Sequence, residues 1–115
     1  MSTVRGKGAA RGLRGHVPVF AALADETRLM LLTKLAEGSL LPIARLTEGS
    51  TLTRQAVTKH LKVLQAAGLV RGVRQGRENR FRLEPKPLED ARRALDRISR
   101  QWDDALARLN AFVEE

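Results

Sequence analysis

The hydrophobic positions in the first part of the chain recur at helical spacing. An apolar run predicts a first helix over 18–24, with a proline in its first turn, where a missing N–H costs nothing. Asp25 is a suitable cap for a second helix over 26–37, which ends before a glycine. The inward stripe expected for this second helix consists of Leu29, Leu32, Leu35 and Ala36.

Two further helices are predicted before the spacing changes. A short third helix over 42–47 opens at a proline, and a fourth helix over 53–67 begins at the cap Thr53 and is followed by a glycine. The inward positions of the fourth helix recur at steps of four and three residues and are Val57, Leu61 and Leu64. Its opposite face carries a polar, cationic set: Arg54, Gln55, Thr58, Lys59 and Lys62.

After the fourth helix the hydrophobic period shortens to two residues, which is the spacing of a β-strand. The segments LVRGVR and NRFRL alternate in polarity. They are separated by QGRE, in which Gly76 can adopt the positive φ of a tight turn. The pattern therefore predicts a β-hairpin over 69–83, directly after the fourth helix.

The last predicted helix carries a hydrophobic seam of unusual length. From Pro87 onward, apolar residues recur at alternating steps of three and four over some twenty-seven residues, which corresponds to about 40 Å of helix. A domain of this size cannot cover such a helix along its whole length. The seam therefore predicts a helical partner, and a second copy of the chain is the simplest one. Its residues are Leu88, Ala91, Leu95, Ile98, Trp102, Ala105, Leu109 and Phe112.

Together these elements predict a mainly α fold with a small β-hairpin. The length of 115 residues suits one compact domain, and the hydrophobic fraction of 43% is ordinary for a globular protein. We assign this domain to residues 16–115. Residues 1–15 contain four glycines and four cations but few large apolar side chains, which predicts a flexible basic arm.

Positive charge is concentrated in one part of the predicted domain. The net charge is +8, and residues 54–82 alone contribute +7, from eight Lys or Arg and one acid, Glu78. A localised basic stripe is the electrostatic signature of a polyanionic partner. Nucleic acid is the first candidate and an anionic membrane surface the second. No segment has the length of a membrane span, and the aromatic fraction of 3% argues against a reader of RNA or single strands.

The chain has no cysteine, which excludes disulfides and thiolate metal ligands and agrees with a cytoplasmic location. It has two histidines, His16 and His60, without a second ligand beside either of them. No Ser–His–Asp set and no glycine-rich phosphate loop is present. We therefore expect no catalytic activity, no metal and no cofactor.

The third and fourth helices, their turn and the basic hairpin follow one another in the order of a winged helix-turn-helix. The second helix of such a unit enters the major groove of DNA, where side chains near its N-terminus meet base edges. Arg can bind guanine, Gln can bind adenine, and Thr can bond either base or touch a thymine methyl. The predicted base-reading residues are Arg54, Gln55, Thr58 and Lys59.

Contacts to the DNA backbone are expected around these base-reading residues. The hairpin places Arg74 and Arg77 near its tip, within reach of phosphates or of a neighbouring minor groove. His60 lies at the boundary between the two faces of the fourth helix, so it can either pack or bind a phosphate, and packing is favoured. The full set predicted to contact phosphates or the minor groove is Thr53, His60, Lys62, Arg74, Arg77 and Arg80.

Three segments, ALADETRLMLL, TRQAVTKHLKVLQAAGLV and RQGRENRFRL, resemble in this order the arsenic-repressor (ArsR) family of bacterial transcription factors. The resemblance covers roughly residues 18–113. It implies a homodimer of winged helix-turn-helix subunits that pair through the first and last helices and repress transcription from an operator. The interface expected on this basis consists of Phe20, Leu88, Ala91, Leu95, Ile98, Trp102, Leu109 and Phe112.

Metal-sensing members of that family use cysteines on the third helix, or histidine and acidic residues on the last helix. The third helix here has no cysteine and the last has no histidine, so the chain resembles the metal-independent branch. For an inducer, a small apolar ligand between the dimer helices, a protein partner and no inducer at all stay open. The alternative function is that of a non-specific architectural DNA-binding or anionic-surface-binding protein.

Overall fold

The computed structural model of the chain describes residues 12–38 and 40–114. Residues 1–11 of the predicted basic arm lie outside the described residues, and residues 12–14 are helical. The elements that follow are α1 (Val17–Leu23), α2 (Glu26–Glu37), β1 (Leu41–Pro42), α3 (Ile43–Thr47), α4 (Arg54–Ala66), β2 (Val70–Gln75), β3 (Glu78–Leu83) and α5 (Pro85–Glu114).

Helix boundaries follow the predicted caps closely. The side chain of Asp25 accepts a hydrogen bond from the backbone N–H of Arg28 at the start of α2, and Thr53 accepts one from Ala56 at the start of α4. Both capping predictions are confirmed. Gly68 follows α4 with φ of 77°, a left-handed conformation that glycine adopts without strain. The last helix begins at Pro85, two residues before its predicted start.

The predicted hairpin is present and forms part of a three-stranded antiparallel sheet in the order β1–β3–β2. Its turn contains Gly76, which has the predicted positive φ, at 62°. Strand β1 was not predicted, because two residues that include a proline carry no recognisable period. It pairs with β3 through Leu41 opposite Phe81, which attaches the hairpin to the segment before α3.

The core lies between α2, the two helices of the helix-turn-helix and the inner side of the sheet. Its fully buried large side chains are Leu31, Leu35, Leu46, Leu61, Leu64, Leu69 and Val57. The predicted stripe of α2 is wrong at two positions, because Leu29 and Ala36 are exposed while Leu31 is buried. Helix α2 packs against three elements, α1, α4 and β3. Its buried face therefore does not coincide with the stripe expected for a helix that packs against one neighbour.

Within residues 12–38 and 40–114, helix α5 packs against the other elements through its first half. Ala91 and Ala94 are buried there, and Leu88 packs against the core. Residues 99–114 are exposed throughout, and the described residues reach 66 Å in their longest dimension. Within the described ranges, no helix combines the length and the apolar character that crossing a membrane requires.

Candidate nucleic-acid interface

The turn between α3 and α4 holds the start of α4 in place. Gly49 has a φ of 74°, and the Ser50 hydroxyl accepts a hydrogen bond from the backbone N–H of Leu52 at 2.9 Å. On the other side, Lys34 of α2 donates to the carbonyl oxygens of Leu46 and Glu48, at 3.2 and 2.7 Å. These bonds satisfy carbonyl groups at the end of α3 and fix it to α2. Helix α4 therefore begins after a turn that these hydrogen bonds hold in place.

The two faces of α4 are those predicted from its spacing. Its inner face is buried, through Val57, Leu61 and Leu64. On its outer face, Arg54, Gln55, Lys59 and Lys62 are exposed. Thr58 is half-buried, and its hydroxyl donates to the carbonyl oxygen of Arg54 at 2.7 Å. This bond leaves the Thr58 hydroxyl oxygen as an acceptor and its methyl group for apolar contact.

The hairpin lies beside α4, and two adjoining clefts separate them. Arg54 of α4 and Arg77 of the hairpin turn line the first cleft, and Lys62 of α4 and Arg74 of β2 line the second. Ile43 lines both clefts, so they lie next to each other. The structure thus brings cations from two elements onto one surface. We call it the basic face, formed by Arg54, Gln55, Thr58, Lys59, Lys62, Arg74 and Arg77.

Acidic side chains offset some cations of the hairpin but not those of the basic face. Arg80 pairs with Glu78 through two nitrogens, each 3.2 Å from the same carboxylate oxygen, and Arg82 pairs with Glu84 at 3.2 Å. Across residues 12–38 and 40–114, the cations of the basic face form no ion pair. Their charge is therefore available to a polyanion, whereas Arg80 already has an exposed partner.

His60 lies against two charged residues from the start of α2, and we call this group the Arg28 cluster. The Arg28 guanidinium contacts His60 Nδ1 from its Nη1 at 3.3 Å. It also donates from Nε to the carbonyl oxygen of Ala22 at 2.6 Å and from Nη2 to that of Ala21 at 3.3 Å. Asp25 Oδ1 lies 3.9 Å from His60 Nδ1. His60 is therefore packed, as favoured above, and its predicted phosphate contact stays a prediction.

The Asp25 carboxylate is stabilised in its charged form. The hydrogen bond from the backbone N–H of Arg28 lowers its pKa, and it outweighs partial desolvation, which acts in the opposite direction. The positive charge of Arg28 lowers the pKa further. Sequence reasoning did not single out Arg28. Its partner His60 is 32 positions away, and no local spacing links the two.

An uncovered apolar strip runs along α1 and α5. Near the core it forms a groove lined by Phe20, Leu23, Leu88 and Leu95, among others. Further along α5 the apolar side chains project from the chain, with Trp102 66% and Phe112 76% exposed. The other large exposed side chains on this half are Leu106, Leu109 and Val113. Large apolar side chains exposed side by side are typical of surfaces that contact a partner.

The predicted interface residues differ in their exposure to solvent in the single chain. Ala91 is buried in the chain's own core, and Phe20, Leu88 and Ile98 are half-buried. The exposed members are Leu95, Trp102, Leu109 and Phe112. Leu106 and Val113 were not predicted, because the alternating steps of three and four pass beside them.

The described residues contain no group of three His, Cys, Asp or Glu side chains that could hold a metal ion.

Helices α3 and α4 with the following hairpin define a winged helix-turn-helix, the fold of a DNA-binding transcriptional regulator. A family model described as a helix-turn-helix domain matches residues 23–73. The solved structure of an ArsR-like transcriptional regulator from Rhodococcus sp. RHA1 is 40% identical, with a TM-score of 0.74 over 86% of this chain and 92% of that one. The chain belongs to the ArsR family of winged helix-turn-helix transcriptional regulators.

Two further comparisons agree with this assignment. The HTH-type transcriptional regulator Rv2034 of Mycobacterium tuberculosis is 39% identical over 93 residues, which cover 81% of this chain and 83% of the relative. The homodimeric winged helix-turn-helix DNA-binding domain of Mb0332 from Mycobacterium bovis is 26% identical, with a TM-score of 0.60 over 84% of this chain and 86% of that one. The predicted fold class and family are therefore confirmed.

Proposed function

We propose that this chain is a homodimeric repressor that binds a specific sequence of double-stranded DNA. The observation that carries the proposal is the presence, in the described part of the chain, of a basic face without ion pairs and an apolar strip that no other described element covers. The basic face suits a polyanion, and the apolar strip suits a second copy of the chain. The proposal combines the two as a dimer that presents two basic faces to one duplex.

Helix α4 is the element proposed to enter the major groove. Its exposed N-terminal residues offer the side-chain chemistry that distinguishes bases there. Arg54 can bind guanine through two hydrogen bonds, Gln55 can bind adenine in the same way, and Thr58 can touch a thymine methyl. Lys59 completes the proposed base-reading set. The buried inner face of α4 supports this role because it leaves the outer face free to approach the bases.

The hairpin and the edges of α4 are proposed to bind the DNA backbone. Lys62 and Arg74 line one cleft, and a position between two cationic side chains suits a phosphate group. Arg77 at the hairpin tip is free to reach a neighbouring minor groove or the next phosphate. The remaining proposed backbone contacts are Thr53, His60 and Arg80.

The proposed dimer forms through α1 and α5. The apolar strip would be removed from water by the same strip of a second copy, as in an isologous two-fold interface. The homodimeric state of the Mycobacterium bovis domain supports this arrangement. Repression would follow from occupancy, since a dimer on a promoter excludes the transcription machinery. The proposed setting is the cytoplasm, and the first operator to test is the chain's own promoter region.

The salt dependence of binding tests the phosphate contacts. We expect the logarithm of the association constant for an operator to fall with the logarithm of salt concentration with a slope of about −5 to −9. This is the slope for a dimer that neutralises roughly six to ten phosphates. Titration of a palindromic duplex with half-sites about one helical turn apart provides the measurement. Equal affinity for random duplex at physiological salt would instead favour a non-specific architectural protein.

Replacing Arg54 with alanine tests base reading. We expect the variant to lose about 1 to 3 kcal/mol of discrimination at one base-pair position, because a bidentate contact to guanine is removed. Competition between operators that differ at single positions provides the measurement. Lys62→Ala is the matched control: it should weaken binding to all sequences alike and make the salt slope shallower by about one unit for each phosphate that Lys62 neutralises. Uniform weakening by Arg54→Ala would contradict its proposed role.

A further inference from the structure

A single guanidinium connects three helices of this chain. The Arg28 side chain is only 16% exposed, and it contacts the last turn of α1, the capping carboxylate of α2 and His60 on α4. Carbonyl groups at the C-terminal end of a helix lack partners within the helix and favour a cation. Arg28 supplies that cation to α1 while it also contacts α4. A change in the distance between α1 and α4 would therefore break at least one of its bonds.

The contact between Arg28 and His60 specifies the form of the imidazole ring. A guanidinium can only donate hydrogen bonds, so in this contact His60 Nδ1 is the acceptor and the ring hydrogen lies on Nε2. Nε2 has no hydrogen-bond partner among the described residues. Every buried side-chain nitrogen or oxygen in the described residues does have a partner, so Nε2 is not buried. The Nε2–H group is therefore accessible from solvent. The side chain as a whole is 24% exposed, which agrees with a ring held on one side only.

His60 is well placed to transmit this contact to the basic face. It follows Lys59 directly on α4 and precedes Leu61, which is buried in the core. The positions three and four residues away on α4 are uncharged, so the charged groups facing His60 in the described residues are Asp25 and Arg28. Two side chains from the start of α2 therefore contact α4 next to both its basic face and its buried face.

We propose that Arg28 is a positioning residue: acting through His60, it fixes α4 relative to the dimer helices and so sets how the two α4 helices of a dimer meet their half-sites. This inference rests on the proposed function. Base-edge contacts depend on the exact placement of α4, whereas phosphate contacts tolerate small shifts. Loss of the Arg28 contacts therefore lowers sequence discrimination more than it lowers affinity for DNA in general.

Replacing Arg28 with lysine tests this role while the charge is kept. A lysine ammonium lacks the planar fork that reaches α1 and α4 at once. The expected result is a fall of about tenfold in the ratio of operator affinity to random-duplex affinity, with random-duplex affinity and dimerisation unchanged. Fluorescence anisotropy with both duplexes and analytical ultracentrifugation provide the measurements. Arg45→Lys is the matched control, because Arg45 makes only an exposed pair with Glu48 and should keep the wild-type ratio.

A double-mutant cycle separates action through His60 from a general structural role. His60→Ala should lower the same ratio, and the Arg28→Lys/His60→Ala double variant should lower it no further, because both changes remove the same interaction. Additive losses would overturn the route through His60. If Arg28→Lys does not fold, His60→Ala decides the question through its own ratio, because a phosphate contact of His60 would act on both duplexes alike and cancel in the ratio.

The outcomes distinguish this inference from the proposed function. A wild-type chain without operator preference would overturn the proposed function and this inference with it. A wild-type preference that survives both Arg28→Lys and His60→Ala would overturn this inference alone.

Nitrogen-15 chemical shifts of His60 give a readout without DNA. The wild-type chain should show the form with hydrogen on Nε2, and Arg28→Lys should shift the ring towards a mixture of forms.

Discussion

Replacing Leu95 with aspartate is expected to convert the dimer to a monomer and to lower operator affinity about 100-fold or more. Leu95 is 48% exposed and lines the groove between α1 and α5, so a second copy would cover it. Two aspartates, one from each copy, would then lose their hydration without a cationic partner. The effective penalty is several kcal/mol for each buried ion, and about 1.4 kcal/mol corresponds to a tenfold change in affinity.

Sedimentation of the Leu95→Asp variant at micromolar concentration would measure its assembly, and operator titration would measure the loss of binding. Gln101→Asp is the matched control, because it adds the same charge to an exposed position of α5 beside the apolar strip. The control should remain dimeric and bind its operator. A Leu95→Asp variant that stays dimeric with undiminished operator affinity would show that the partner contacts lie elsewhere.

Replacing Leu64 with alanine is expected to lower the free energy of unfolding by about 3 kcal/mol. Leu64 lies on the inner face of α4, is 0% exposed and packs in the core, so the substitution removes apolar contacts and leaves a cavity. A loss of this size is a large share of the stability of a small domain. Because α4 contributes both the core face and the basic face, operator affinity should fall where the variant is partly unfolded.

Urea unfolding followed by circular dichroism, at one fixed protein concentration, measures this change, since dimer formation makes the midpoint concentration-dependent. Val63→Ala is the matched control on the same helix. Val63 is 42% exposed, so its truncation removes less buried apolar surface and should cost less than about 1 kcal/mol. Equal midpoints for the two variants would contradict the assignment of Leu64 to the core.

Prediction from sequence succeeded where the chemistry is local. The caps Asp25 and Thr53 act on backbone groups three residues away, and Gly76 acts on its own turn. The inner and outer faces of α4 follow from a helical period that its neighbours did not disturb. The seam of α5 was also predictable, because the second half of that helix has no neighbour among the described residues that would alter its pattern.

Prediction was less successful where several elements meet. The buried face of α2 includes Leu31, since α2 packs against three neighbouring elements and not one. Strand β1 was missed because it is defined only by its pairing with β3. The contact between Arg28 and His60 joins residues 32 positions apart, so no local spacing indicates it.

The sequence alone therefore determined the order of the elements, the faces of α4, the segment that carries the positive charge and the apolar seam of α5. These properties depend on residues within one or two helical turns or one β-turn of each other. Only the tertiary structure decided that Lys62 and Arg74 share a cleft and that Arg28 joins α1 to α4. Such proximities arise when distant segments pack around a common core, and no spacing along the chain encodes them.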